Sequence, residues 1–255
     1  MSLTTNRNVA PTPGVQKSPR CFGSEVLDSL PVASGEYIAF GALLVDGSNT
    51  VGLNTVKAAK CASVGGTPQQ PVGVADIRKF VTLGKYDGFW SDTPRVEIVP
   101  IITERANVFV TPNGANISIE AQDYLEVAVL GDGSTSNHGV LEEAGAADGT
   151  LLTADTVAKA LETVTMGSSA YAVPASDVAV GASTITMGAG AITTMGLQVG
   201  MYILLEDLNG AVQMNKVADL SSTVITLVMP STVALVHNDG DLVTRVFQVR
   251  AELRF

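Results

Sequence analysis

Phe247-Gln248-Val249-Arg250-Ala251-Glu252-Leu253-Arg254-Phe255 alternates apolar and polar residues without a fault. Side chains along a strand point to opposite faces in turn, so this pattern predicts a β-strand with one buried face. Such a strand needs a partner from earlier in the chain, and repetition identifies where to look.

Three landmarks follow one another in the first hundred residues: Ile38 to Val45, then Pro71 to Asp76, then the alternating run Arg95 to Val99. A second set comes in the same order: Ile119 to Val127, then Thr156 to Glu162, then Gln248 to Leu253. Ile38 to Val72 spans 34 positions and Ile119 to Val157 spans 38, a spacing that suits one architecture used twice. The next interval differs, at 24 positions from Val72 to Val96 against 92 from Val157 to Val249, which puts 68 extra residues in the second copy.

These spacings divide the chain into an extended arm over 1–24, a β-barrel core over 25–168 plus 246–255, and an inserted small β-domain over 169–245. Insertions of this kind are tolerated at surface loops whose ends lie close together. The inserted stretch carries its own strand-like runs at Ser183–Met187, Gly200–Leu205, Val212–Val217 and Thr223–Val228. Gly188 to Gly190, Asn209-Gly210, Leu220 to Ser222 and Asn238 to Gly240 supply the turns between them, and Asn-Gly is a strong hairpin signal. The expected fold class is therefore all-β: a small barrel or tulip-like core of two quasi-repeats, with an inserted small barrel or sandwich. Val157, Ala160, Leu161 and Val164 also fit one face of a helix, but the alignment with Val72 to Asp76 favours a strand.

The 255 residues are 46% apolar, enough for one large or two modest cores, and aromatic residues are few. A net charge of −10 with no basic run argues against a nucleic-acid surface, which rests on clustered Lys and Arg. No apolar stretch approaches the 18 or so residues of a membrane span. The first 24 residues contain Pro11, Pro13, Gly14 and Pro19 and no apolar segment of signal-peptide length, so they are expected to form an arm, made in a cytoplasm.

Motifs for chemistry are absent from the sequence. His138 and His237 sit in Gly/Asn/Asp/Ser contexts that predict loops, and no serine lies in a Gly-x-Ser-x-Gly elbow that would let Asp132, Ser134 and His138 act as a triad. Asp132-Gly133 and Asp239-Gly240 lack calcium-loop spacing and are turn dipeptides, while Ser63 to Thr67 and Met187 to Ala191 lack the Lys-Ser/Thr of a phosphate loop. Glu142-Glu143 beside Ala144-Gly145-Ala146 suggests a solvated linker. No catalytic residue, cofactor or metal ligand is assigned. Cys21 and Cys61 are either free thiols or, in an oxidising setting, a disulfide within or between chains. Gly84-Lys85-Tyr86-Asp87-Gly88-Phe89-Trp90 is either an intersubunit anchor or a plug at a barrel end, the anchor being preferred. Tyr86, Phe89 and Trp90, with Arg7 and Arg20 of the arm, are the candidate interface residues.

The twice-used order of an Ile-x-x-Gly/Gln-x-x-Leu segment (Ile38, Gly41, Leu44; Ile119, Gln122, Leu125), a middle strand and a Val-x-Val/Ala-x-Leu closing strand resembles the capsid cement, or decoration, proteins of tailed viruses. The resemblance covers Gly35 to Val164 and Phe247 to Phe255, and the insertion departs from it. It implies a non-enzymatic virion protein on the capsid surface, a trimer that bridges neighbouring major capsid proteins. The competing expectation is a tail, fibre or adhesin subunit whose inserted domain binds a host receptor or glycan; a small hydrolase would need a catalytic set that the sequence does not supply.

Overall fold

The computed structural model describes residues 28–46, 56–58, 71–76, 88–91, 97–112, 118–128, 138–144, 156–166 and 170–254. Arg7, Arg20, Cys21, Cys61 and Tyr86, the candidate arm, and Asp132 and Ser134 lie outside these residues. The described chain is all-β, with one short helix.

Seven strands come first: β1 (Asp28–Pro31), β2 (Tyr37–Ala39), β3 (Leu43–Asp46), β4 (Val56–Ala58), β5 (Pro71–Ala75), β6 (Phe89–Ser91) and β7 (Ile98–Ile102). Six follow: β8 (Arg105–Val110), β9 (Ser118–Ile119), β10 (Tyr124–Val127), β11 (Val140–Glu143), β12 (Thr156–Ala160) and β13 (Val164–Thr165). The inserted stretch holds β14 (Tyr171–Ala172), β15 (Thr184–Thr186), the helix α1 (Ala191–Thr194), β16 (Tyr202–Glu206), β17 (Val212–Leu220), β18 (Val224–Leu227) and β19 (Leu242–Arg245), and β20 (Phe247–Leu253) closes the chain.

The quasi-repeat is present strand by strand. The first sheet runs β1-β7-β5-β3-β4, and the closed barrel of the second copy runs β8-β20-β12-β10-β11, the same order with the same partners. In the second copy the barrel closes through a parallel pairing of Leu141 with Val110; in the first, the parallel bridge Val32 to Val56 stands at the matching place. Both copies carry a register shift at one equivalent point, between Leu44 and Val45 and between Leu125 and Glu126. The ribbon β2-β6 likewise matches β9-β13.

The turn between β2 and β3 explains the Gly/Gln alternation in the repeated motif. Gly41 has φ +103° and donates its N–H to Ala75 O at 2.9 Å; Gln122 has φ +88° and donates to Ala160 O at 2.9 Å. The left-handed backbone that glycine adopts freely is thus imposed on a glutamine in the second copy.

Three sequence expectations change. Ile38–Val45 and Ile119–Val127 are each two short strands around this turn, not one. The closing strand of the first copy is Ile98–Ile102, three residues beyond the expected centre, and Arg95 and Val96 are outside the described residues. Ala75 pairs with Ile101 and Ala160 with Ala251, intervals of 26 and 91 positions, so the extra length in the second copy is 65 residues instead of 68. Alternation over 95–99 does not mark the strand's centre, because the strand itself, Ile98-Val99-Pro100-Ile101-Ile102, is apolar throughout and does not alternate. Thr156–Ala160 is a strand, as the repeat required.

Small barrels are filled by their own inward side chains. In the second copy these include Val108, Val110, Leu125, Leu141, Val249 and Ala251, each 0% exposed. In the first they are the equivalent residues Val32, Leu44, Val56, Val99 and Ile101, at 0–2%. Full burial of such side chains stabilises the fold by about 1.5–3 kcal/mol each before chain entropy is charged against it.

The inserted strands form a six-stranded sheet, β14-β19-β16-β17-β18-β15, and the bridge between Pro174 and Met187 brings its outer strands together around a third core. The Asn209-Gly210 turn joins β16 to β17, with Asp207 N–H donating to Ala211 O at 2.9 Å.

Candidate functional site

The bridges Val32 to Val56 and Pro174 to Met187 curl the first and inserted sheets into barrels, and the barrel of the second copy meets both at Tyr202. Its alternation on β16 turns it away from Ile203 and Leu205, which fill the inserted core, and toward the first barrel. The ring lies edge-on to Phe89 at 5.5 Å and tilted on Phe109 at 4.9 Å, while its hydroxyl donates to Gly88 O. Lys216 Nζ stands 5.4 Å from the ring centre. One side chain thus ties the inserted barrel to both copies of the repeat.

Phe89 and Trp90, expected as an anchor for a neighbouring subunit, are core residues here, 1% and 4% exposed. Trp90 Nε1 donates to Asp76 O at 3.0 Å, and Phe40 packs on the indole at 5.5 Å. This corrects the preferred expectation. Phe89 and Trp90 fill the interior, because β6 pairs with β2 and turns both rings inward; the rest of the loop, Tyr86 included, lies outside the described residues.

Beside this junction a cleft of about 670 Å³ opens between the first and inserted barrels. Tyr37, Met214, Met229 and Pro230 give it an apolar lining, and Ser91 and His138 add polar groups. Its wall is held by two amides of β17. Gln213 Nε2 donates to Pro230 O at 3.2 Å and its Oε1 accepts from Thr232 N–H at 2.8 Å. Asn215 Nδ2 donates to Met229 O at 2.9 Å and its Oδ1 accepts from Met229 N–H at 3.3 Å. Together with two backbone bonds, Ser231 N–H donating to Ala182 O and Gly181 N–H donating to Ser231 O, both at 2.7 Å, the amides fix residues 229–232.

His138 and His237 both lie in turns, as expected, and both bind backbone. His138, at φ +52°, places Nε2 2.9 Å from Val212 O, across to the inserted barrel. His237 Nδ1 contacts Pro174 O and its N–H donates to Asp177 Oδ1. Asp241 accepts from Leu208 N–H and Val236 N–H, which makes the Asn238 to Gly240 turn a structural clamp. Among the described residues no group of three or more His, Cys, Asp or Glu is placed to hold a metal ion, and no helix is long and apolar enough to cross a membrane.

Glu142 and Glu143, expected in a solvated linker, belong to β11 and are 7% and 3% exposed. Strand pairing with Glu126 and Leu125 explains it, a long-range contact that local composition did not signal.

Glu206, at the end of β16, has its carboxyl pushed above the ordinary range by burial, opposed by a hydrogen bond with Thr244. Burial also lowers the Arg245 guanidinium, whose carbon lies 4.3 Å from the Phe247 ring centre and whose Nη1 donates to Met195 O at 3.0 Å. The folded chain holds the Glu206 proton to higher pH than the unfolded chain, so stability falls as pH rises from 4.5 through the folded value. Glu206→Gln is therefore expected to raise the melting temperature above that window and to leave it unchanged below. Melts at pH 3.5 and pH 7.5 check this; an equal effect at both would refute it.

No protein-family model and no curated protein matches this chain.

Proposed function

We propose that the chain is a non-enzymatic virion protein that decorates and stabilises a capsid shell as a trimer, binding across neighbouring major capsid proteins. What carries this reading is the construction: one five-stranded order used twice, closed as a barrel in the second copy, with the interiors filled by side chains. A protein so built offers broad outer surfaces to a partner. Reinforcing a shell calls for broad, shallow contact, and shared cores across three barrels provide a stiff body for it. The resemblance of the repeat to cement proteins points the same way. The net charge of −10 leaves nucleic acid a poor partner and keeps the chain soluble before it assembles.

The test is the copy number of this chain relative to the major capsid protein in gradient-purified particles, by quantitative mass spectrometry. Fixed proportion at high copy number is expected. Absence from particles would overturn the reading.

The cleft favours a second reading, a tail or fibre subunit that binds a receptor or glycan, because Tyr37 stands 46% exposed at its rim. A few copies per particle, with glycan binding lost in Tyr37→Ala, would select it.

A further inference from the structure

The two copies of the repeat pack head to tail. The first barrel contributes the turn Phe40 to Ala42 with Leu43, Val45, Val74 and Ile102, all four of which join the core cluster of the second barrel. The second barrel receives them with Phe109, Gln248 and Gly139. A methyl group built on Gly41 would lie 3.2 Å from Gln248 Nε2 and 3.5 Å from the Phe109 ring, and Leu43 N–H donates to Gly139 O at 3.0 Å. Because different surfaces meet, the contact is heterologous, and among the described residues each barrel keeps one of the two surfaces clear of the other copy.

The strand registers identify both. Phe109 pairs with Gln248 across β8 and β20; Pro31 pairs with Ile98 at the same place across β1 and β7. Pro31 therefore stands in the place of Phe109 and Ile98 in the place of Gln248: Gln248 is half-buried beneath the first barrel with its Nε2 out of solvent, whereas Ile98 is 52% exposed. On the second barrel the equivalents of Leu43, Val45, Val74 and Ile102 are Tyr124, Glu126, Lys159 and Glu252. Lys159 Nζ and Arg254 Cζ flank the Tyr124 ring at 5.5 and 5.4 Å, and Arg105 meets Glu252 at 3.7 Å.

We infer that these unused surfaces bind each other between chains: the Ala121 to Asp123 turn and Tyr124 face of one copy docks on Pro31 and Ile98 of the next. The occupant is a second copy of this chain because the contact continues one already made within the chain. The docking surface is apolar inside the chain and charged at the equivalent place outside it, as suits a contact made only on assembly, since a free chain must keep that face in water. A heterologous contact closes into a ring or runs on as a filament. A closed ring of three chains would set six barrels in a circle; the number three rests on the proposed trimer, the contact does not.

Gly41 touches Gln248 within the chain, so Gln122 should touch Ile98 between chains. The test uses full-length chain carrying Cys21→Ser and Cys61→Ser, with either Ile98→Cys or Gln122→Cys, checked for folding by its melt. Under mild oxidation a mixture of the two variants is expected to give a disulfide-linked dimer of unlike chains, while each variant alone gives none. Light scattering on the parent chain is expected to show a mass above the monomer. A link formed by Ile98→Cys alone, an oligomer with no link in the mixture, or a monomer at every concentration would each overturn the contact. A monomer still found at high copy number on particles would overturn the contact and leave the capsid reading standing; a linked ring absent from particles would do the reverse.

Discussion

Gly139→Ala is expected to destabilise the protein by about 3 kcal/mol or more, from a steric clash joined to backbone strain. Gly139 has φ +71°, and a Cβ there would lie 2.4 Å from Leu43 O, 2.5 Å from Leu43 N and 2.9 Å from Ala42 Cβ. Two of those three atoms are backbone, so no rotamer change relieves the overlap. The chains must separate, which breaks the hydrogen bond from Leu43 N–H to Gly139 O and opens the joint between the repeats. A fall in melting temperature of roughly 6 to 12 °C follows for a domain of this size. Gly181→Ala is the control: its φ is +89°, but nothing lies within 4 Å, so only the strain remains, at about 1–2 kcal/mol. Equal losses in the two variants, read by calorimetry, would show that close packing of the repeats is not what Gly139 secures.

Tyr202→Ala is expected to cost about 3–5 kcal/mol, the range for removing a buried aromatic ring. Tyr202 belongs to the first barrel's cluster and not to the inserted barrel's own core, so the loss falls on the junction. The inserted barrel keeps Ile185, Ile203, Leu205, Ile225, Leu235 and Val243, all 0% exposed. One calorimetric transition is therefore expected to become two, with proteolysis separating the inserted barrel from the rest. Tyr202→Phe keeps the ring contacts and loses the bond to Gly88 O, a cost of about 1 kcal/mol. A single, lowered transition in Tyr202→Ala would mean that the inserted barrel does not hold together alone.

Much of this architecture was legible in the sequence, but unevenly. The landmarks Ile38 and Ile119, and Val72 and Val157, fall at equivalent places in the two copies because each is fixed by a turn or a register shift that both retain. The closing strand of the first copy, Ile98–Ile102, is centred three residues beyond the centre of the alternating run Arg95 to Val99, because its own residues are apolar throughout and leave no local mark of its centre. β1, β4, β8 and β11 of the repeats and β14 and β19 of the insertion have no mark in the sequence: they span two to six residues without a long alternating run, and their pairing is set by strands elsewhere in the chain. The aromatic loop shows the same limit. Phe89 and Trp90 beside Gly88 look alike in sequence whether they face a neighbour or the interior, and only pairing of β6 with β2 turns them inward.

Of the cleft, Tyr37, Ser91, His138, Met214 and Val228 lie in or beside features that the sequence exposes, but nothing in those features brings them together. Gln213 and Asn215 were read as ordinary strand positions, and their role as clips for residues 229–232 depends on where that segment returns. No local pattern encodes such a bond, since the partner lies 14 to 19 positions away.

By itself the sequence determined that this is a β-protein built on a repeat, interrupted in its second copy by a module with its own turns. Periodicity of side chains and turn residues are local properties, written every second residue and at each reversal. The tertiary structure alone decided that the repeats stack head to tail, that Tyr202 joins both copies to the inserted sheet, and that Ile98 is left open where its counterpart Gln248 is half-buried. Those outcomes depend on which surfaces meet, and contact between surfaces is set by closure of the whole chain, which no short stretch contains.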